Sequence, residues 1–183
     1  MASLDGPDSL AVPSRRCILR RWRAEDRVPF AAMNADPVVM EHYPAPLSRD
    51  ESDALVDRVE HFWAEKGWGL WAVELSDGFA GYVGLLELTF AAHFTPAVEV
   101  GWRLDRRCWG QGIATEAARS ALADGFGRLG FDEIVSVTAT TNIASQRVMQ
   151  KLGMRHDPAE DFDHPHVAEG RLRRHVLYRL PAP

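Results

Sequence analysis

Arg107-Cys108-Trp109-Gly110-Gln111-Gly112 brings a guanidinium and two glycines to the threshold of a helical pattern. Arginine offers a planar fork of donors that fits phosphate oxygens. Gly110 and Gly112 let the main chain approach an anion with no Cβ in the way. The segment follows an alternating run, Val98-Glu99-Val100-Gly101-Trp102-Arg103-Leu104, and leads to Ile113 and Ala114 with further apolar positions at 117, 118, 121, 122, 126 and 129. The first N–H groups of a helix lack internal partners, and the helix dipole favours negative charge there. Strand, glycine loop and helix together predict a phosphate site formed by Arg107, Trp109, Gly110, Gln111, Gly112, Ile113 and Ala114. Gly112 is not followed by Lys-Ser/Thr, and only two glycines have the dinucleotide spacing, so neither of those better-known loops fits.

Two other places carry chemistry. Glu99 stands in an otherwise apolar strand, where a carboxylate is costly unless hydrogen-bonded or solvated. A cleft position raises its pKa toward use as a base. An intrasheet salt bridge to Arg103, on the same face, is the competing reading. Asn142 opens a helix, where it can serve as an N-cap. Ser145 shares a helical face with Val148, Met149 and Leu152, so its hydroxyl turns inward, either satisfied locally or directed into a site.

The elements that must position these residues follow from the pattern. Strands are expected at 17–22, 70–75, 80–88, 98–104, 133–139 and 173–180. Helices are expected at 26–35, 49–66, 111–129 and 142–152, with a short one starting near Pro37. Ser48 and Glu51 have capping-box spacing, and Ser76-Asp77-Gly78-Phe79 marks a hairpin. These segments predict a single α/β (α+β) domain from residue 17 to 183, behind a flexible leader of residues 1–16. Its mixed, mostly antiparallel sheet has about seven strands, with helices on both faces. The loop 158–170 is polar.

The Arg-x-x-Gly-x-Gly loop after the Gly101-Trp102-Arg103-Leu104 strand resembles the acetyl-CoA loop of the GNAT acyltransferase superfamily. The segment from Asn142 through Ser145 to Lys151-Leu152-Gly153-Met154 is similar to that family's Asn-x-x-Ser…Lys-Leu-Gly-Phe run, with Met154 in place of the aromatic. The similarity runs from about Cys17 to Leu180 and is closest to the ribosomal-protein N-terminal acetyltransferase branch. The resemblance implies a GNAT fold and acetyl transfer from acetyl-CoA to a primary amine of a peptide or small molecule. It implies pantetheine pairing with the main chain of Trp102, Arg103 and Leu104, beside a bulge for which Gly101 is best suited. It also implies a pantetheine contact for Asn142, a base role for Glu99 and proton delivery to the departing sulfur for Ser145. Homodimers are common in similar proteins. The rival reading is a non-catalytic acyl-CoA-binding module with a drifted acceptor site.

Composition narrows the partners. The 183 residues suffice for one core, and 46% hydrophobic content excludes a disordered chain. No apolar run is long enough to span a membrane. A net charge of −5 disfavours nucleic acid and suits a cationic amine. Two cysteines, Cys17 and Cys108, are too few for a disulfide framework or a zinc site and suit a cytoplasmic setting. His164, His166 and His175 lie near Asp161 and Asp163 without metal-ligand spacing, so no metal is expected; a wall of the acceptor pocket is the better reading. Arg171-Leu172-Arg173-Arg174 reads as a solvated face or as a contact for the adenosine 3′-phosphate. The tryptophans at 22, 63, 68 and 71 either pack in the core or line the acceptor pocket.

Overall fold

The computed structural model describes residues 16–183 and the strand Ser9–Leu10. The remaining leader positions, 1–8 and 11–15, lie outside the described residues. Ser9–Leu10 (β1) pairs antiparallel with Ile18–Arg20 (β2). Then come α1 (Arg27–Ala35), α2 (Arg49–Lys66), β3 (Leu70–Leu75), β4 (Gly78–Leu88) and β5 (Ala97–Leu104). The second half holds α3 (Ile113–Gly127), β6 (Glu133–Ala139), α4 (Ile143–Lys151), β7 (Arg155–His156), β8 (Phe162–Asp163) and β9 (Arg174–Pro181). The strands form one mixed sheet in the order β1-β2-β3-β4-β5-β6-β9-β7, with β8 on β9; every pairing is antiparallel except β5 with β6. Helices cover both faces, as the pattern predicted.

Local chemistry explains the boundaries. Ser48 caps α2 by accepting from the Glu51 N–H, while Glu51 returns the bond to the Ser48 N–H. Gly67, at φ 71°, ends it in the left-handed region. No helix starts at Pro37; residues 37–42 form turns, held by Met40 N–H to Asp36 and Tyr43 N–H to Met40. Strands β7 and β8 were not expected, because two residues are too few to show a period.

Register decides which side chains share a face. β4 and β5 pair without a shift from Gly81↔Leu104 to Leu88↔Ala97. The bulge expected at Gly101 is therefore absent; the register shift lies in the β3–β4 pair, between Val73 and Glu74, where Ala80 of β4 is the extra residue. Tyr82 and Arg103 are opposite each other and meet α1 through Phe30 and Asn34. Leu85 and Val100 are opposite each other on the other face, where Gly125 of α3 comes so near Leu85 that a Cβ there would stand 2.9 Å from its Cδ1. Trp22, Trp63, Trp68 and Trp71 are all buried in the main core.

Candidate active site

β5 and β6 form a parallel pair at one position, Glu99↔Val135. Beyond it the strands separate, and side chains bridge what backbone does not. The Ser136 hydroxyl donates to the Val100 carbonyl at 2.9 Å, and the Val137 N–H donates to Glu99 Oε1 at 3.1 Å. The gap opens into a cleft of about 930 Å³. Its walls are β5 from Glu99, the loop 108–112, the first turn of α3, residues 136–139 of β6, one face of α4, the α1–α2 connection and the segment 164–175.

The glycine loop forms as the sequence implied. Gly110 and Gly112 adopt φ of 72° and 82°, where a Cβ would be strained. Gly112 is the N-cap of α3 and supplies no side-chain cap, so among the described residues no capping side chain takes the first N–H groups of the helix, and Ile113, Ala114 and Thr115 stand at the cleft wall. Trp109 folds back, its indole N–H donating to the Leu104 carbonyl at 2.8 Å.

Strand alternation sorts the three β5 residues. The Val100 carbonyl points across the gap to Ser136, and the Arg103 carbonyl points toward Gly81 of β4. Trp102, in phase with Val100, therefore turns its main-chain groups into the gap, where an amide-bearing ligand can pair with them. Arg103 is committed to β4 by its main chain and meets the cleft with its side chain.

Of the expected residues, Glu99, Trp102, Arg103, Leu104, Trp109, Gly110, Gly112, Ile113, Ala114, Asn142 and Ser145 all line this one cleft. Arg107 and Gln111 do not. The Arg107 guanidinium reaches the β3–β4 turn, bonded to Asp77 and, at 2.7 Å, to the Phe79 carbonyl; Gln111 donates to the Arg107 carbonyl at 2.7 Å. Two cations not singled out from sequence, Arg147 and Lys151, line the cleft from α4. They stand one helical turn apart, and that spacing beside Val148 was the available signal.

Burial raises the Glu99 pKa to about 7, against the smaller lowering effect of the Val137 N–H. The salt-bridge alternative does not form, because Arg103 donates to Asn34 Oδ1 at 2.7 Å instead. Asn142 is the N-cap of α4: its Oδ1 accepts from the Ser145 N–H at 3.1 Å and its Nδ2 donates to Thr138. Among the described residues, no protein group bonds to the Ser145 hydroxyl, which lies at the cleft wall. Cys108 is buried, and burial raises its thiol pKa, so it is poorly suited to act as a nucleophile.

His164, His166 and His175 line the cleft, with the His164 pKa lowered to about 4 by burial and by its two histidine neighbours. Among the described residues, no cluster of His, Cys, Asp or Glu could hold a metal, and no helix is long and apolar enough to cross a membrane. The arginines of the 171–174 run are engaged elsewhere: Arg171 donates to the Glu41 carbonyl, while Arg173 and Arg174 pair with Asp163. Tyr178 stacks on His156 and takes no part in the cleft wall.

A parallel strand pair splayed over a glycine-loop helix defines an acyl-transferase architecture, and comparison with known proteins agrees. Residues 16–155 match the family described as acetyltransferase (GNAT) domain. The chain belongs to that family of transferase enzymes. FsC-acetyl coenzyme A-N(2)-transacetylase of Aspergillus fumigatus is 29% identical over 157 residues, covering 77% of this chain and 65% of that protein's length. A Bacillus anthracis GNAT acetyltransferase superposes with a TM-score of 0.77 at 20% identity, over 95% of this chain and 98% of its own. RimL, a ribosomal alpha-N-protein acetyltransferase in complex with coenzyme A, gives the same TM-score at 15% identity, again over 95% and 98%. Equal fold likeness at such identities does not single out the ribosomal-protein branch.

Proposed function

We propose that the chain transfers an acetyl group from acetyl-CoA to a primary amine by direct attack. The gap between β5 and β6 carries this reading, since it runs from the uncapped N-terminus of α3 to the Glu99 carboxylate. The residues fit the cofactor. The first N–H groups of α3 and the cations Arg147 and Lys151 suit its phosphates. The free main-chain groups of Trp102 suit its amide-bearing arm, and the side chain of Asn142 is fixed nearby by Thr138.

Glu99, with a pKa near neutrality, takes a proton from the amine directly or through water. The amine nitrogen attacks the thioester carbonyl, the new C–N bond forms, and the C–S bond breaks. Ser145, one turn into α4, donates to the departing sulfur, where the helix dipole also favours a thiolate. The raised Glu99 pKa and the free Ser145 hydroxyl weigh against a drifted, non-catalytic module. Calorimetry with acetyl-CoA, followed by CoA-thiol release across a panel of amines, tests the assignment. Absence of acetyl-CoA binding by folded protein would overturn it.

A further inference from the structure

Two arginines are buried among the described residues, and their surroundings differ. Arg20 has carboxylates: Asp26 grips it at 2.7 and 2.8 Å, and Glu74 adds a second. Arg103, only 9% exposed, has none. Its Nη1 donates to the neutral Asn34 Oδ1, and Asn34 is itself fixed by donating to Ser52 at 2.9 Å. Tyr43 and Tyr82 present ring faces 4.0 and 5.5 Å from the guanidinium carbon. The buried Nε has no acceptor, and among the described residues, besides Asn34, only the neutral Tyr43 hydroxyl is in bonding reach of the guanidinium. Arginine stays charged at any working pH. Ring faces offset only part of the cost of removing it from water. The missing counter-charge faces the cleft that Arg103 lines.

Glu99 does not supply that charge. It shares the face of β5 with Arg103, but the two stand four positions apart, roughly 13 Å between Cα atoms. Gly101 lies between, on the same face, and leaves the floor bare; a Cβ there would meet only Leu86 Cδ2, at 3.7 Å. The face thus presents a carboxylate, an open floor and an unmatched guanidinium in line. The charged cleft residues are Glu41 and Glu99 against Arg103, Arg147 and Lys151. With Arg147 and Lys151 given to the cofactor's phosphates, Arg103 is the cation left among the described cleft residues to meet the acceptor, and a polyamine would set a further cation against it.

We infer that the acceptor is an aminocarboxylate, its anion held by Arg103 and its amine presented to Glu99, with several bonds between the two groups. The inference rests on the acetyl-transfer reading above. Asn34 and Ser52 hold the guanidinium in place, and Tyr43 and Tyr82 wall the anion subsite. The acetyl group passes to the amine nitrogen as the C–S bond breaks, and the acceptor carboxylate takes no part in the bond changes.

The test compares CoA-thiol release with γ-aminobutyrate and ε-aminocaproate against propylamine and pentylamine, which lack the carboxylate. Wild-type protein should favour the carboxylate-bearing amines by roughly 10–100-fold in kcat/KM, the value of a charge-assisted contact. In Arg103→Gln, with folding checked by acetyl-CoA calorimetry, the ratio should fall to about one. Caproate should compete with ε-aminocaproate in the wild type, whereas caproamide should not, and this arm needs no variant. Equal turnover of both series, preference for spermidine, or turnover of neither by protein that binds acetyl-CoA overturns the acceptor class. Failure to bind acetyl-CoA instead overturns the activity beneath it.

Discussion

Glu99 Oε1 accepts the Val137 main-chain N–H at 3.1 Å, so a side chain closes the first rung beyond the last backbone pairing of β5 with β6. One carboxylate therefore has two roles. It satisfies a strand amide at the point where the sheet opens, and it lines the cleft, where the proposed function gives it the role of base. Glu99→Gln separates them, because the amide oxygen still accepts from Val137 while basicity is lost. Turnover should fall by roughly 10²–10⁴-fold with acetyl-CoA affinity nearly unchanged. Glu99→Leu should add a loss of stability of about 1–3 kcal/mol from the orphaned N–H, read by denaturant unfolding. Undiminished turnover in Glu99→Gln would leave the residue a purely structural role.

The Glu99 pKa gives the pH dependence a sign. Burial lifts it from 4.5 to about 7 in the folded protein. Between those values the folded state holds a proton that the unfolded state has lost. Its stabilising contribution is therefore full below pH 4.5 and is lost as pH rises through 7. Catalysis runs the other way, since only the carboxylate accepts a proton. The pH profile of kcat/KM should rise through about pH 7, and that limb should vanish in Glu99→Gln, while unfolding of the variant should lose the corresponding pH slope.

The α2 boundaries and capping box, the β3–β4 hairpin and the whole of β6 were legible because their determinants are local: a cap, a turn pair, a β-branched run. The glycine loop was legible for the same reason. Arg107 was misdirected because its partner, Asp77, lies 30 residues away on a turn whose approach only the folded sheet reveals. The surroundings of Arg103 were equally hidden. Asn34, Tyr43 and Tyr82 converge on it from three separate elements, and no spacing along the chain encodes that. The splay of β5 from β6 goes with their single shared pairing, while the β4–β5 ladder runs past Gly101 without a shift.

Gly112 tests the anion loop. Its φ of 82° strains any side chain, but a Cβ there would find its nearest neighbour, Arg16 Nη2, at 3.5 Å. Gly112→Ala should therefore cost about 1–2 kcal/mol of stability through backbone conformation alone. Gly112→Glu adds an anion at the uncapped start of α3. Its acetyl-CoA affinity should fall well below that of Gly112→Ala, because the new charge competes with phosphate for the same N–H groups. Equal affinities for the two variants, measured by calorimetry, would move the phosphates elsewhere.

Ser145 tests the fate of the leaving thiolate. Its N–H is already satisfied by Asn142, so its hydroxyl is free to serve the cleft. Ser145→Ala removes the donor at little helical cost, since alanine is the best helix former. Acetyl-CoA affinity should change little, while turnover falls by roughly 10-fold or more, the loss of one hydrogen bond to a charge developing in the transition state. The deficit should shrink with acyl donors whose thiol has a lower pKa, because a better leaving group needs less help. An equal deficit for every donor would assign Ser145 to positioning, and no deficit would leave its hydroxyl outside the chemistry.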